Sequence, residues 1–428
     1  MSVPFRFIHA ADLHLDSPFR GLASAPAPVR EALMESTFAA LRELTQAAIR
    51  NQVDFIVLAG DLFDEADRSL RAQLALVKEW AKLEEHGIAV YVIHGNHDPL
   101  SGARAELKLP SNVVVFGSDQ MEYRPAYRRS GELAAFIYGR SYGTRIVTEN
   151  MAAAYQTQPE APFHIAMLHG NVDGDGTHDP YAPCELQELI GSKGFDYWAL
   201  GHIHHRRVLH EYPHVVYAGN LQGRNPRETG AKGCLMIDVT AAKVLDLSFV
   251  PLDSVRWLER SMSITGIGSE QELLLQLEEQ LDLALTESDG RMVMLRMVLN
   301  GRGPLHHKLM EPVVTRVLLE QLQEGRALDA GERWIHVYAL EANTGAEIRT
   351  EELEAEDSFA GELYRMSMEL SKDQLKWRAF AQDAIKGAAS HAKLGRLLRS
   401  EWEELPEHWL EQGRELVLGL LHGNERES

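Results

Sequence analysis

Asn96, His97 and Asp98 follow the apolar run at residues 88–93 and place an amide oxygen, an imidazole and a carboxylate in one tight turn. That grouping suits metal-assisted attack on a phosphate ester. Four other words of the same kind also sit just beyond short apolar runs: Asp12-Leu13-His14, Gly60-Asp61, His169-Gly170 and Gly201-His202-Ile203-His204. Glycine and aspartate fill turns for conformational reasons, so any one of these words alone is an ordinary turn. Five in succession carry the chemistry.

The donor types narrow the ion. Cys184 and Cys234 are too far apart for a Cys-x-x-Cys site and too few for a disulfide framework, so a metal must be held by Asp, Asn and His. Oxygen and imidazole donors suit manganese, iron or zinc and fit calcium less well. Residues two apart in a turn, such as Asp12 with His14 or His202 with His204, splay toward one ion or two, and Asp61 has two oxygens with which to bridge. Two divalent ions bring four positive charges against the two negative charges of Asp12 and Asp61, and the surplus draws in a phosphodiester. His97 is assigned proton donation to the leaving oxygen because its neighbour Asn96 already fills a coordination position; Asp98 is expected to orient its ring. His94 is expected to pack, and His205 to lie spare beside His204.

The elements that must position these residues follow from the periodicity. Apolar runs at 5–8, 53–59, 88–93, 164–168, 197–200 and 215–218 read as strands. Leu33, Phe38, Leu41, Leu44 and Ala48 fall near one face of a helix after the first run, and Leu70, Leu74, Val77 and Leu83 do so after the second. This is an α/β layer architecture, in which functional groups gather beyond the carboxyl ends of the strands. From about residue 255 the pattern changes to a small α+β unit, with helices at 273–285 and 313–322 and strands at 291–299 and 334–340. An acidic stretch containing Glu351, Glu352, Glu354, Glu356 and Asp357 leads into a helical tail, where Trp402, Leu405, Trp409, Leu416, Val417, Leu420 and Leu421 are apolar positions that pack together or dock a partner helix.

Bulk properties set the frame. At 428 residues, 45% hydrophobic and 25% charged, the chain has the composition of a globular protein of two or three domains. A net charge of −20 argues against coating nucleic acid by bulk electrostatics, while leaving room for a local phosphate site. The first nine residues lack a basic start and a long apolar core, and no apolar run approaches the ~20 residues of a membrane span, so a cytoplasmic protein with no membrane contact is expected.

Together the five words resemble the calcineurin-type metallophosphoesterase superfamily. Within it, His9-Ala10-Ala11-Asp12-Leu13-His14-Leu15-Asp16 and Ala59-Gly60-Asp61-Leu62-Phe63-Asp64 are similar to the bacterial SbcD-like DNA repair nucleases of the YhaO-type subfamily, over residues 3–253 and more faintly beyond. The resemblance implies a four-layer α-β-β-α sandwich over residues 1–253, a small α+β capping domain over 254–345, and a linker with a helical partner-binding tail over 346–428. It implies one ion on Asp12, His14, Asp61 and His204 and a second on Asp61, Asn96, His169 and His202, with His97 catalytic. Manganese is the implied metal, with Mg²⁺, Fe²⁺ or Zn²⁺ as alternatives. The implied activity is exonuclease or endonuclease cleavage of DNA in repair, beside an SMC-like coiled-coil ATPase, with a homodimer as a family expectation. Archaeal and eukaryotic relatives commonly carry histidine where this chain has Asp64, which is expected here to be a turn residue.

Arg206, Arg207, Arg224, Arg227 and Lys232 cluster around the last metal word and the 219–223 loop and are candidate contacts to a DNA backbone. Two other functions use the same words: hydrolysis of a small-molecule or protein phosphate ester, and a DNA-end-binding or ATPase-regulating scaffold with little hydrolysis. The extra domains favour the nuclease over the first, and the complete ligand set favours it over the second.

Overall fold

The computed structural model describes residues 3–19, 25–64, 68–103, 105–176, 179–191, 194–240, 243–324, 333–347, 350–389 and 408–424. Strands β1 (Phe5–Ala10), β2 (Phe55–Ala59), β3 (Ala89–Ile93) and β4 (Val113–Val115) run parallel in one sheet. The second sheet contains β5 (Glu122–Tyr127), β6 (Leu133–Gly139), β7 (His164–His169), β8 (Tyr197–Gly201), β9 (Arg207–Glu211) and β10 (His214–Tyr217). Strands β11 (Gly233–Thr240) and β12 (Lys243–Pro251) return to the first sheet, giving the orders β12-β11-β1-β2-β3-β4 and β5-β6-β7-β8-β10-β9. Parallel strands in each sheet are flanked by antiparallel pairing, β11 on β1 in the first and β5 on β6 and β9 on β10 in the second.

Alternation along the strands builds three apolar layers. Phe55, Val57 and Ala59 of β2 and Tyr91 and Ile93 of β3 face the second sheet, where they meet Ile165 and Met167 of β7 and Tyr197 and Ala199 of β8. Between these residues Ile56, Leu58, Val90 and Val92 face the helices α1 (Ala27–Arg50) and α2 (Leu70–Glu85). Ala166, Leu168, Trp198 and Leu200 face outward from the second sheet onto a thin layer made by Met151, Tyr155 and the short helix α3 (Leu186–Ile190). The stacked rings of Phe7 and Phe55, 5.3 Å apart, add about 0.5–1.5 kcal/mol to the inter-sheet layer beyond their area. The result is the expected sandwich.

Helix α2 corrects one expectation. Ser69 caps it by accepting from Ala72 N at 3.0 Å, and Leu76, Trp80 and Leu83 are its buried stripe, whereas Leu70 and Leu74 are 57% and 50% exposed. Of the four positions read from the sequence, Leu83 lies on the buried stripe, Val77 is half-buried, and only Leu70 and Leu74 lie on the exposed face.

Strands β13 (Val255–Ser263), β14 (Met292–Asn300) and β15 (Ile335–Ala342) form a three-stranded sheet in that order. The helices α4 (Glu270–Glu287), α5 (His306–Leu309) and α6 (Pro312–Glu324) alternate with them. Two compact units result, one of Met1–Glu259 with Leu281–Arg296 and Gly325–Tyr338, the other of Arg260–Gln280, Met297–Glu324 and Ala339–Ser428. In the first, Val29 and Leu33 of α1 pack with Val255, Trp257, Met294 and Trp334. In the second, α7 (Thr350–Ala355), α8 (Phe359–Ser371), α9 (Gln374–Ala389) and α10 (His408–Asn424) form the tail. Its core is Leu353, Ala360, Tyr364 and Leu418. Leu416 and Val417 are exposed there, Trp409 and Leu421 half-buried, and Trp402, Leu405 and the Leu420 side chain lie outside the described residues. Among the described residues no helix is long and apolar enough to cross a membrane.

Candidate metal centre

The five words meet at one edge of the sandwich, three from the ends of β1, β2 and β3 in the first sheet and two from the ends of β7 and β8 in the second. The turns are tight. Asp12, His14, Asp61 and His202 all have left-handed backbone, with φ of 52°, 42°, 51° and 100°. For residues with a side chain this costs about 1–3 kcal/mol each and persists only where the surroundings impose it. Here Asp12 N donates to Gly60 O at 3.1 Å and His14 N to Asp61 O at 3.0 Å. The carboxylates then take backbone donors from other turns: His202 N reaches Asp12 Oδ1 at 3.0 Å, and His97 N reaches Asp61 Oδ1 at 3.0 Å.

Donor atoms of Asp12, His14 and His204 lie within 4.8 Å of one another, as do those of Asp12, Asp61 and His169. Asn96 joins the second group, its Oδ1 lying 3.0 Å from His169 Nε2. Three of the four candidate ligand histidines have one ring nitrogen hydrogen-bonded from behind, and the fourth, His14, has Asp64 beside it without a hydrogen bond. His169 Nδ1 donates to Ala59 O at 2.9 Å, His202 Nε2 to Asp179 O at 2.8 Å and His204 Nδ1 to Glu228 Oε1 at 2.9 Å, while His14 Nδ1 lies 3.1 Å from Asp64 Oδ1. In each of the three hydrogen-bonded rings, when neutral, this puts the lone pair on the other nitrogen, the arrangement that orients metal-binding imidazoles. The Nε2 atoms of His14 and His204 face each other at 3.1 Å. Space is kept for an ion as well: a Cβ on Gly95 would stand 2.4 Å from Asp61 Oδ1 and 2.6 Å from His169 Nε2. Donor type, tautomer and space all fit divalent cations.

The electrostatics agree. Burial pushes the Asp12 carboxyl up to about 7, with neighbouring Asp61 adding to the rise. Burial also raises the Asp61 carboxyl, but the stronger combined pull of His169, His14 and His97 holds it well below the usual range. His169 is lowered by burial but raised more by Asp61 and Asp12, to about 9, so beside these carboxylates it holds a proton that a bound cation would displace from Nε2. Burial and the Arg224 charge push His14 down to about 3, which keeps it a lone-pair donor.

His97 is half-buried at the rim, its Nδ1 donating to Asp64 O at 2.6 Å, and it lines an open cavity of about 390 Å³ with Asp61, Asn96, Asp179, His202 and His204. With His14 and Asp64 it also forms a third donor group within 4.8 Å. The expected pairing of His97 with Asp98 is not made. Asp98 is fully buried, and its Oδ2 accepts from His94 Nδ1 at 2.8 Å and Leu62 N at 3.0 Å while Oδ1 accepts from Gly95 N at 2.9 Å. A carboxylate under its own turn reaches the turn's amides and the ring four residues back, so Asp98 braces the loop and His94 is its hydrogen-bond partner.

Two residues that sequence reasoning placed elsewhere or overlooked complete the centre. Asp64 stands behind His14, and Glu228 behind His204. Arg224 joins them: it pairs with Asp64, lies 3.6 Å from Glu228 and is 13% exposed, so it is turned into the protein and is not an open DNA contact. Burial raises both carboxyls, but the imidazole beside each and Arg224 together hold them far below the usual range. The Arg224–Glu228 spacing is the signal that could have exposed this brace. Of the other cations, Arg207 pairs with Asp175 at 3.0 Å, Arg227 is exposed, Arg206 lies over the Phe249 ring at 3.7 Å, and Lys232 is buried with Nζ donating to His204 O at 3.3 Å.

Fold and donor set define a phosphoesterase of the calcineurin-like class, and the family model described as Calcineurin-like phosphoesterase matches residues 5–206. A second, described as the middle domain of metallophosphoesterase YhaO, matches residues 257–345. The chain is 43% identical over 366 residues to a Bacillus subtilis (strain 168) protein named Uncharacterized metallophosphoesterase YhaO, covering 85% of this chain and 87% of that one, and it belongs to this metallophosphoesterase family. It is 24% identical over 334 residues to the DNA double-strand break repair protein Mre11 of Sulfurisphaera tokodaii, covering 74% and 77% of the two chains. It is 24% identical over 277 residues to a Staphylococcus epidermidis protein named as a subunit of the nuclease SbcCD, covering 59% and 71%.

Proposed function

We propose that the protein is a divalent-metal-dependent phosphodiesterase that cleaves DNA, working in the cytoplasm as the hydrolytic subunit of a repair assembly with an SMC-like coiled-coil ATPase and a second copy of itself. The observation that carries the reading is the imidazole set around two buried carboxylates: three histidines with their tautomers fixed by hydrogen bonds from behind, and His14 beside Asp64. In this reading Asp12, His14, Asp61 and His204 hold one ion, Asp61, Asn96, His169 and His202 the other, and manganese is the working metal. Bound there, the cations supply Lewis-acid polarisation of the phosphoryl group and a nucleophile at neutral pH. His97 carries the proton: the Asp64 carbonyl takes Nδ1–H, so Nε2 is the nitrogen that serves the leaving oxygen. The kinship with proteins named for double-strand break repair and for the nuclease SbcCD supports DNA over a small phosphate ester.

The test is digestion of end-labelled linear DNA with manganese and then magnesium, beside His97→Ala and bis(4-nitrophenyl) phosphate. Cleavage of DNA that His97→Ala removes is expected. Hydrolysis of the small diester with DNA left intact would return the reading to a phosphatase. Loss of ATPase co-purification after deletion of residues 355–428 is the expected outcome for the partner.

A further inference from the structure

Beside His204 lies a separate cavity of about 190 Å³, well above the ~30 Å³ of one water in the liquid. His204 lines both this cavity and the one at the metal centre. Its walls include His205, Arg206, Lys232 and Phe249, with main chain from 218–220 and 229–233. Gly219 lets these loops approach: its φ is +74°, and a Cβ there would lie 2.9 Å from Arg206 N and 3.0 Å from His204 O.

The cavity is cationic in a chain of net charge −20. Lys232 is 8% exposed, and its hydrogen bond is to the neutral carbonyl of His204. The two carboxylates whose charge reaches it are committed elsewhere, Glu228 to His204 and Arg224, and Asp253 to Arg256 at 2.8 Å and Arg291 at 3.1 Å. Arg206 is held over Phe249, which fixes its planar fork at the cavity wall. A buried ammonium without a carboxylate partner beside an oriented guanidinium is the chemistry of an oxyanion site. We infer that this cavity receives the phosphate that neighbours the scissile one on a DNA strand, so that the centre selects a polynucleotide over an isolated phosphate ester. The inference rests on the phosphodiesterase reading and sharpens its substrate.

The experiment compares the parent protein with Arg206→Gln and Lys232→Gln, each assayed on a short DNA strand and on bis(4-nitrophenyl) phosphate, which has no neighbouring phosphate. The ratio of kcat/KM for the strand to that for the small diester is expected to fall about tenfold in each variant. In the His97→Ala background, the salt dependence of strand binding by fluorescence anisotropy is expected to become shallower by about 0.7 in log–log slope. Parent protein that cleaves the strand, with both ratios and slopes unchanged in the variants, overturns the phosphate site alone. Parent protein that hydrolyses only the small diester overturns the DNA reading and the site with it. Arg206 is exposed, so its variant keeps the test decisive if Lys232→Gln does not fold.

Discussion

Replacing Glu228 by alanine tests the centre through a residue that is not itself an expected ligand. Its carboxylate accepts from His204 Nδ1 at 2.9 Å, Asn220 Nδ2 at 2.7 Å and Arg224 N at 2.8 Å. The truncation frees His204 to rotate and to exchange tautomers, so the lone pair is no longer held on Nε2. Removing such a support costs about 10- to 100-fold in metal affinity, or about 1.4–2.7 kcal/mol. Arg224 keeps Asp64 as a partner, which limits the collateral damage. Calorimetric titration of manganese into metal-stripped protein measures the effect, with circular dichroism confirming the fold. Glu228→Gln, which retains an acceptor oxygen, should recover part of the loss. In a His204→Ala background the same truncation should add little, because contacting residues acting on one ligand are not additive. An affinity within about twofold of the parent value, or full additivity with His204→Ala, refutes the argument that Glu228 acts by orienting His204.

Further outcomes follow from the same geometry. His97→Ala should lower hydrolysis by about 10²–10⁴-fold with metal content by elemental analysis unchanged; loss of metal would make His97 a ligand. Asp98→Ala leaves the buried His94 ring and two backbone amides without their acceptor and should cost about 1–3 kcal/mol or more in urea unfolding, so an unchanged midpoint would remove its bracing role. Gly201→Ala would place a Cβ 1.9 Å from Ala59 O and 2.9 Å from His169 Nδ1. Its cost should be about 1–3 kcal/mol, read as a lower melting temperature together with weaker metal binding. Chelation should lower the melting temperature of the parent, since a cation at a hundredfold excess over its dissociation constant contributes about 2.7 kcal/mol; a melting temperature indifferent to metal would contradict the site.

The strands that carry the ligands were legible because central strands buried on both faces are continuous apolar runs, and 53–59, 88–93 and 197–200 are of that kind. Strands β5, β9 and β12 were not read, since half-exposed edge segments such as Arg207–Glu211 carry polar residues that look like loop, and β4, β6 and β11 were also missed although β6 and β11 are largely buried. Helix α2 misled for another reason: hydrophobic spacing locates a stripe but does not say whether anything covers it. At the site, residue type and position after a strand found every side chain of the donor groups except Asp64. What escaped was the support behind them. Two of the three back-side hydrogen bonds to the imidazoles go to the backbone carbonyls of Ala59 and Asp179, which leave no mark in residue identity. Asp98 was misassigned because adjacency in the chain suggested a contact that the turn's curvature prevents.

The candidate centre draws its donors from both sheets, with Asp12, Asp61 and Asn96 arriving on one and His169 and His202 on the other. No half of the sandwich therefore contains a competent catalyst. A nascent chain that has paired only its first three strands, or a proteolytic fragment that keeps one sheet, brings together too few donors to attack phosphodiesters. The proposed hydrolysis therefore requires both sheets to be docked, so a damaged copy would be silent and not indiscriminate, a useful property in a protein whose proposed substrate is the genome.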